Sequence, residues 1–406
     1  MADHKTDGFI SAVKFLFTTE RLQAGLFALA VFFPVFFFSS RILDGSLPPA
    51  YPFFWAVFIS ALGYLIFSTG RISPRRTVLF VSLAAGFLIH FKSGLVTIGE
   101  QTFSTECMQD VPYCHIAMAS TVLNYLYQQY LALMSGDWKL WGPLTIAVLW
   151  LGVTLVPGRG WCSWVCFYGG IDEGFSKMLR KPILRPERLP AWTRDFPMAL
   201  LIFLLLISLA YLMPIFCLWV CPLKITTEFL EPSGDPVRSV QLTLMSVAGF
   251  LFLIILPVLT GKRTFCSYIC PFGAWQSVAG KINPFRVTID ARNCTECKSC
   301  YSSCPMMAIR CTDNPEDASP DKPVSGRPAP EILNYCNMCG KCTDVCPENS
   351  ARYTILGRDL STAVSGWGRF RTVKNLYVFS ALVVSGTFGS IFVPAAVSDI
   401  VNWISR

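Results

Sequence analysis

Seven stretches of this 406-residue chain are apolar over most of a membrane's thickness, and no other feature of the sequence limits its fold as strongly. They run approximately over Leu22–Phe38, Tyr51–Phe67, Thr77–Phe91, Trp141–Pro157, Phe196–Phe216, Val240–Leu259 and Leu376–Val397. A hydrocarbon core of roughly 30 Å takes about 17–25 helical residues, so the runs predict an α-helical integral membrane protein of about seven transmembrane helices. The third run is the weakest, because His90 and Lys92 interrupt it. Composition agrees: 53% of residues are hydrophobic and 15% charged, against about a quarter charged in soluble domains. The first run is expected to be a retained anchor, since no small-residue cleavage site follows at Phe36–Arg41.

Basic residues set the expected orientation. With the N-terminus inside, 28 of the 34 Lys and Arg fall on inside segments: three before the first run, three in Arg71–Arg76, seven in Arg159–Arg194 and fifteen in Lys262–Lys374. Six fall outside, at Arg41, Lys92, Lys139, Lys224, Arg238 and Arg406. Discounting the long Lys262–Lys374 loop, as a short-loop rule requires, still leaves 13 against 6. The net charge of +8 therefore belongs to membrane topology and not to a nucleic-acid partner. The less apolar Ile116–Met134 carries Asn124, Gln128 and Gln129 and reads as an interfacial or re-entrant helix.

Seventeen cysteines are grouped in tight, repeated spacings. Within a polar, Pro-rich region over 283–357, Cys294, Cys297, Cys300 and Cys304-Pro305 form a C-x2-C-x2-C-x3-C-P run. It recurs as Cys336, Cys339, Cys342 and Cys346-Pro347. In such doubled runs three thiolates hold one cluster and the fourth crosses to the other. Cys294, Cys297, Cys300 and Cys346 are thus expected to hold one [4Fe–4S], and Cys304, Cys336, Cys339 and Cys342 a second, in a bacterial-type α+β ferredoxin domain. Zinc sites do not use this doubled register. Met306–Tyr335, with five prolines between the runs, reads as an exposed excursion, and Cys311 within it as a bystander.

Three further pairs share a C-x3-C spacing: Cys162/Cys166, Cys217/Cys221 and Cys266/Cys270. Residues at i and i+4 stack on one face of a helical turn, so each pair supplies half of a four-thiolate site. Counting spans puts Cys162, Cys166, Cys266 and Cys270 on the cytoplasmic face, as ligands of a third [4Fe–4S]. Arg159 and Arg263, each three residues before its first cysteine, would offset the charge of an anionic cluster. Paired structural zinc sites are the competing reading. Cys107, Cys114, Cys217 and Cys221 are left on the outer face, where they are expected to hold a fourth [4Fe–4S], with Lys224 and Lys92 the nearest cations. In an oxidising outer compartment disulfides compete with that assignment, and His115 competes for one ligand position. Lone His90 does not make a haem site. Trp161, Trp164, Trp219 and Trp275 read as interfacial anchors, and Gly99, Gly169, Gly170 and Gly340 as turn or packing glycines.

The predicted organisation is an inside N-terminal segment (1–21), three membrane helices (22–98), an outer loop with a cysteine pair and interfacial helix (99–140), three membrane helices with C-x3-C motifs at their ends (141–282), the ferredoxin domain (283–357), and a last helix with a short outer tail (358–406).

Over Gly158–Leu356 these motifs resemble the membrane polyferredoxins of the NapH, NosR and CcoG type. Phe167 departs from the pattern, standing where many members have Pro after the second cysteine. The expected setting is the bacterial inner membrane, as a multi-pass protein, and the Lys and Arg count puts the N-terminus and ferredoxin domain on the cytoplasmic side and the C-terminus outside. The resemblance implies electron transfer between the quinone pool or cytoplasmic donors and redox partners on one or both sides, within a larger complex. A maturation factor that reduces a metalloenzyme, or a redox sensor, are the alternatives. With no P-loop, Rossmann fingerprint or Ser-His-Asp set, the chain reads as an electron-transfer component of an oxidoreductase system. Clusters on opposite faces of a 30 Å core would be poorly coupled. Coupling therefore requires sites sunk into the membrane on broken helix ends, as Pro222 and Pro271 permit, or a bridging quinone.

Overall fold

A computed structural model describes residues 19–98, 114–184, 193, 195–222, 236–311, 330–358 and 372–405. The seven apolar runs are all helical. Helices α1 (Thr19–Ile42), α2 (Ala50–Thr69), α3 (Ser73–Ile98), α4 (His115–Ser135) and α5 (Trp141–Leu155) form the first half. Short helices α6 (Trp161–Trp164) and α7 (Phe167–Ser176) follow, then α8 (Phe196–Tyr211), α9 (Ile215–Trp219), α10 (Pro236–Thr260), α11 (Thr264–Tyr268) and α12 (Pro271–Ala279). Among the described residues four helices, α1, α2, α3 and α10, are long and apolar enough to cross a membrane. Counting bent pairs as single spans raises the number to six. The fifth expected span, α8, has 16 residues, about 24 Å at 1.5 Å per residue. It stops at Leu212, which turns left-handed (φ 51°) ahead of Pro214.

The wider α10 carries a π-helical turn over Phe250–Ile255. Such a turn frees a carbonyl from the helix ladder, and the Thr264 hydroxyl donates to that of Phe252 (2.8 Å). The least apolar stretch, Ile116–Met134, lies in α4 and packs on α8 with Asn124 buried.

Helices α1 and α2 form a hairpin closed by α15 (Val373–Gly389), while α16 (Val393–Ile404) lies along α3. Small residues let these helices approach closely. A Cβ on Gly386 would meet Val35, and the Trp55 indole N–H donates to the Gly386 carbonyl at 2.7 Å. Helix α3 packs on α7 across a buried ion network. The Arg76 guanidinium meets Glu173 Oε1 at 2.5 Å with both side chains 1% exposed, and Lys177 Nζ reaches the same oxygen at 2.7 Å. Gly169 and Gly170 are packing glycines, because a Cβ on either would strike Phe80. Trp164 is fully buried and edge-on to Tyr377, and Trp161 is also buried. These two indoles are core residues and not the interfacial anchors their spacing suggested. Both sit in the cysteine-bearing turn that folds back into the bundle.

The polar region is a small α+β unit. Strand β1 (Phe285–Ile289) pairs antiparallel with β4 (Ala351–Ile355), Phe285 facing Ile355 and Ile289 facing Ala351. Strand β2 (Ile309–Arg310) pairs with β3 (Glu331–Ile332), and helices α13 (Ser299–Ser303) and α14 (Lys341–Val345) pack together. Its two halves repeat one backbone pattern. Glu296, Lys298 and Met307 have φ near +55°, and Met338, Gly340 and Asn349, at the same offsets in the second run, are also left-handed. Such conformations are rare away from glycine. Here they curl the chain around each row of sulfurs, and the Ala308 and Ser350 amides donate to Cys304 Sγ (3.3 Å) and Cys346 Sγ (3.2 Å).

This unit is fastened to the helices. Asp344 accepts from the backbone N–H groups of Ile72 (3.0 Å) and Ser73 (2.6 Å) at the start of α3, where a carboxylate also meets the helix dipole. Lys262 Nζ donates to the carbonyls of Ser302 and Cys304, the Arg263 amide donates to Pro305, and Tyr353 stacks on Tyr377 of α15. Replacing Asp344 by Ala is expected to cost about 1–3 kcal/mol by leaving the two α3 donors unpaired. Hydrogen exchange should then speed up across 330–358 and at Ile72–Ser73 together; unchanged protection there would show that the contact is idle.

Candidate metal centres

Three of the four predicted thiol sets line three separate cavities. Cys294, Cys297, Cys300 and Cys346 surround one, with Pro330, Ser350 and Ala351 completing its walls. Cys304, Cys336, Cys339 and Cys342 surround a second, walled by Val287, Met306, Ile309 and Ile332. Each takes three sulfurs from one run and one from the other. Cys311 lines neither. Cys162, Cys166, Cys266 and Cys270 share a third cavity with Arg159, Phe272 and Tyr301.

These cavities suit a multi-iron cluster. Four cysteine sulfurs border each one, the donor set that a [4Fe–4S] cluster takes. The thiols stand around the walls of an enclosed space. In the second cavity burial pushes Cys336 up to about 12, with the Cys304 and Cys339 thiolates adding to the rise. Burial likewise raises Cys304 to about 11. Thiols raised in this way hold their protons at neutral pH, and a cluster bound by Cys304 and Cys336 would have to displace them. Cys297 is exposed and its thiol is held below its ordinary value by hydrogen bonds from Ser299.

The third set carries the cation expected for it. Arg263 is fully buried; one guanidinium nitrogen donates to Cys266 Sγ (3.0 Å) and to the Cys162 carbonyl (2.7 Å), and the group lies over the Phe80 ring. The Cys266 amide donates to Asp172 Oδ2 at 2.9 Å, which ties α11 to α7. Arg159 also borders the cavity.

The fourth set is partly visible. Cys107, Lys224 and Gly99 lie outside the described residues. Cys114 caps α4 and is within electrostatic reach of Cys221 and of Cys166, and α9, which carries Cys217, packs on α4. The Tyr168 hydroxyl lies 2.8 Å from Cys221 Sγ, two residues along the chain from Cys166. The two membrane sets are therefore neighbours, which corrects the expectation that they sit on opposite faces. Helix α8 is short and α9 folds back behind Pro214, so Cys217 and Cys221 return to the interior of the bundle. His115 points to the other set, with Nε2 3.2 Å from Cys166 Sγ. His90 pairs with Asp399 (3.2 Å).

Two residues that join the sites carry no cysteine signature. Ser163 lies between Cys162 and Cys166, and its hydroxyl donates to the Asn337 carbonyl, between Cys336 and Cys339, at 2.6 Å in the buried interior. Tyr168 follows Phe167, and its aromatic character was the only signal available.

Comparison with known proteins covers the same regions. The 4Fe–4S binding domain family matches residues 140–186, 196–235 and 242–289, and the 4Fe–4S dicluster domain family matches 290–350. The chain is 26% identical to Escherichia coli (strain K12) YccM, named for electron transport, over 55% of this chain and 60% of that protein. It is 27% identical to the ferredoxin-type protein NapH of Escherichia coli (strain K12), over 56% of this chain and 70% of NapH. With the methylamine utilization ferredoxin-type protein MauN of Paracoccus denitrificans (strain Pd 1222) it shares 28% identity, over 44% of this chain and 61% of MauN. No solved structure matches.

Proposed function

Because the chain is a polyferredoxin-like 4Fe–4S membrane protein, we propose that it is an electron conduit whose four sites lie in series from the ferredoxin domain into the membrane. One-electron transfer is the chemistry that [4Fe–4S] clusters supply when bound, and the protein contributes placement and tuning. Cys294, Cys297, Cys300 and Cys346 hold the outermost cluster, beside the exposed Cys297. Cys304, Cys336, Cys339 and Cys342 hold the next, Cys162, Cys166, Cys266 and Cys270 the third, and Cys107, Cys114, Cys217 and Cys221 the fourth.

The buried Ser163–Asn337 hydrogen bond is the observation that carries this reading. It links the ligand loop of a ferredoxin site to that of a membrane site without intervening solvent. Arg76 Nη1 fixes the same loop by donating to the Ser163 carbonyl. A quinone is the proposed membrane carrier. An aromatic cavity of about 310 Å³, lined by Phe87, Phe91, His115, Trp150, Phe272 and Phe392, suits a flat ring, and His115 links its wall to Cys166. The proposed setting is the bacterial inner membrane, with the ferredoxin domain cytoplasmic on the excess of Lys and Arg in the shorter segments of the same side, and redox proteins as donor and acceptor.

Sealed vesicles test the conduit. A reductant supplied on the ferredoxin side is expected to reduce the third centre, read by its EPR signal, and Ser163→Ala to slow that step while iron content stays constant. Equal rates in both proteins would count against this route.

A further inference from the structure

Tyr168 lies next to all three C-x3-C segments. It is the second residue of α7, two beyond Cys166, its ring stacks on Phe265 beside Cys266 (centroids 5.2 Å apart, planes 8° from parallel), and its hydroxyl meets Cys221 Sγ at 2.8 Å. The residue is fully buried. An iron-bound cysteine has no S–H to give, so with a cluster in place the phenol must be the donor. Phe167 stacks flat on Phe87 (3.7 Å), and Phe265 is itself buried. Neighbouring rings thus hold Tyr168 in position and leave its hydroxyl aimed at sulfur.

We propose that Tyr168 is a positioning residue that sets the redox potential of the centre ligated by Cys221, a role that rests on a cluster being held there. Reduction adds one electron, and with it negative charge, to the cluster and its sulfurs. A hydrogen bond donated to a ligand sulfur favours that more negative form and raises the potential. Arg263 plays the corresponding part at Cys266, where it donates to sulfur as a cation. The third and fourth centres thereby receive different donors, a guanidinium and a phenol, on neighbouring turns. The phenol oxygen is the only atom that Tyr168→Phe removes, so ring packing on Phe265 is retained.

The test is a dithionite redox titration of the full-length protein in detergent, purified without oxygen and followed by EPR. In Tyr168→Phe one midpoint is expected to move to lower potential, with iron content and the ferredoxin midpoints unchanged. That same midpoint must be the one lost in Cys221→Ser, along with about four iron atoms. Four unmoved midpoints in Tyr168→Phe, with Cys221→Ser losing iron, would overturn the tuning role and leave the fourth centre standing. Iron loss in Tyr168→Phe would also overturn it, by making the tyrosine an assembly residue. Full iron retention in Cys221→Ser would remove the centre itself, and the inference with it.

Discussion

Protein purified without oxygen is expected to carry about sixteen iron atoms per chain, and the double variant Cys217→Ser with Cys221→Ser about twelve. The expectation follows from four thiol sets, three of which surround their own cavities, while in the fourth Cys114 lies within electrostatic reach of Cys221, which meets the Tyr168 hydroxyl. Elemental iron against protein concentration reads it directly. Twelve atoms in the unaltered protein would mean that Cys217 and Cys221 serve something other than a cluster. The crossover within the ferredoxin domain gives the companion result. Cys346→Ser should abolish the centre of Cys294, Cys297 and Cys300, although it alters the second run, and Cys304→Ser should abolish the other.

The second large effect belongs to Arg263. Its guanidinium is buried against Cys266 Sγ, the Cys162 carbonyl and the Phe80 ring, with the Asp172 carboxylate in electrostatic contact. Removing one partner of a buried charge pair costs about 3–5 kcal/mol, because the other charge is left without a counterion. Arg263→Met is therefore expected to lower the melting temperature of the apo-protein markedly and to strip the third centre while sparing the ferredoxin pair. Arg263→Lys keeps the charge but not the guanidinium nitrogen that donates to both Cys266 Sγ and the Cys162 carbonyl, and should retain the centre at a lower potential. Retention of all iron and full stability in Arg263→Met would show that the cation is dispensable.

Much of this was legible in the sequence, for reasons that lie in local chemistry. The apolar runs are long enough that helix is their only economical state in lipid, and each is helical. The doubled C-x2-C-x2-C-x3-C-P register encodes the sulfur positions through spacing alone, and both four-thiol sets line their own cavities. Arg263 could be anticipated because an anionic cluster near lipid needs a cation nearby. The relation between the two membrane sets could not. Counting spans assumes that each helix crosses completely, whereas α8 stops early at Leu212 and the C-x3-C turns are helices of four or five residues that fold inward. Trp164 and Tyr168 were hidden for the same reason, since an aromatic at the end of an apolar run looks alike whether it faces headgroups or a buried sulfur. Asp344 and Ser163 were unreadable because their partners, Ile72 and Asn337, are distant in sequence.

The exchange of one sulfur between the two ferredoxin runs has a consequence for how such a domain can change over generations. Each half borrows a ligand from its twin, so neither can be deleted, duplicated or transplanted by itself without emptying two cradles at once. Any insertion that shifts one half against the other carries the same penalty. Tolerated growth is confined to the segment joining them, which in this chain is the proline-bearing stretch between Met306 and Tyr335.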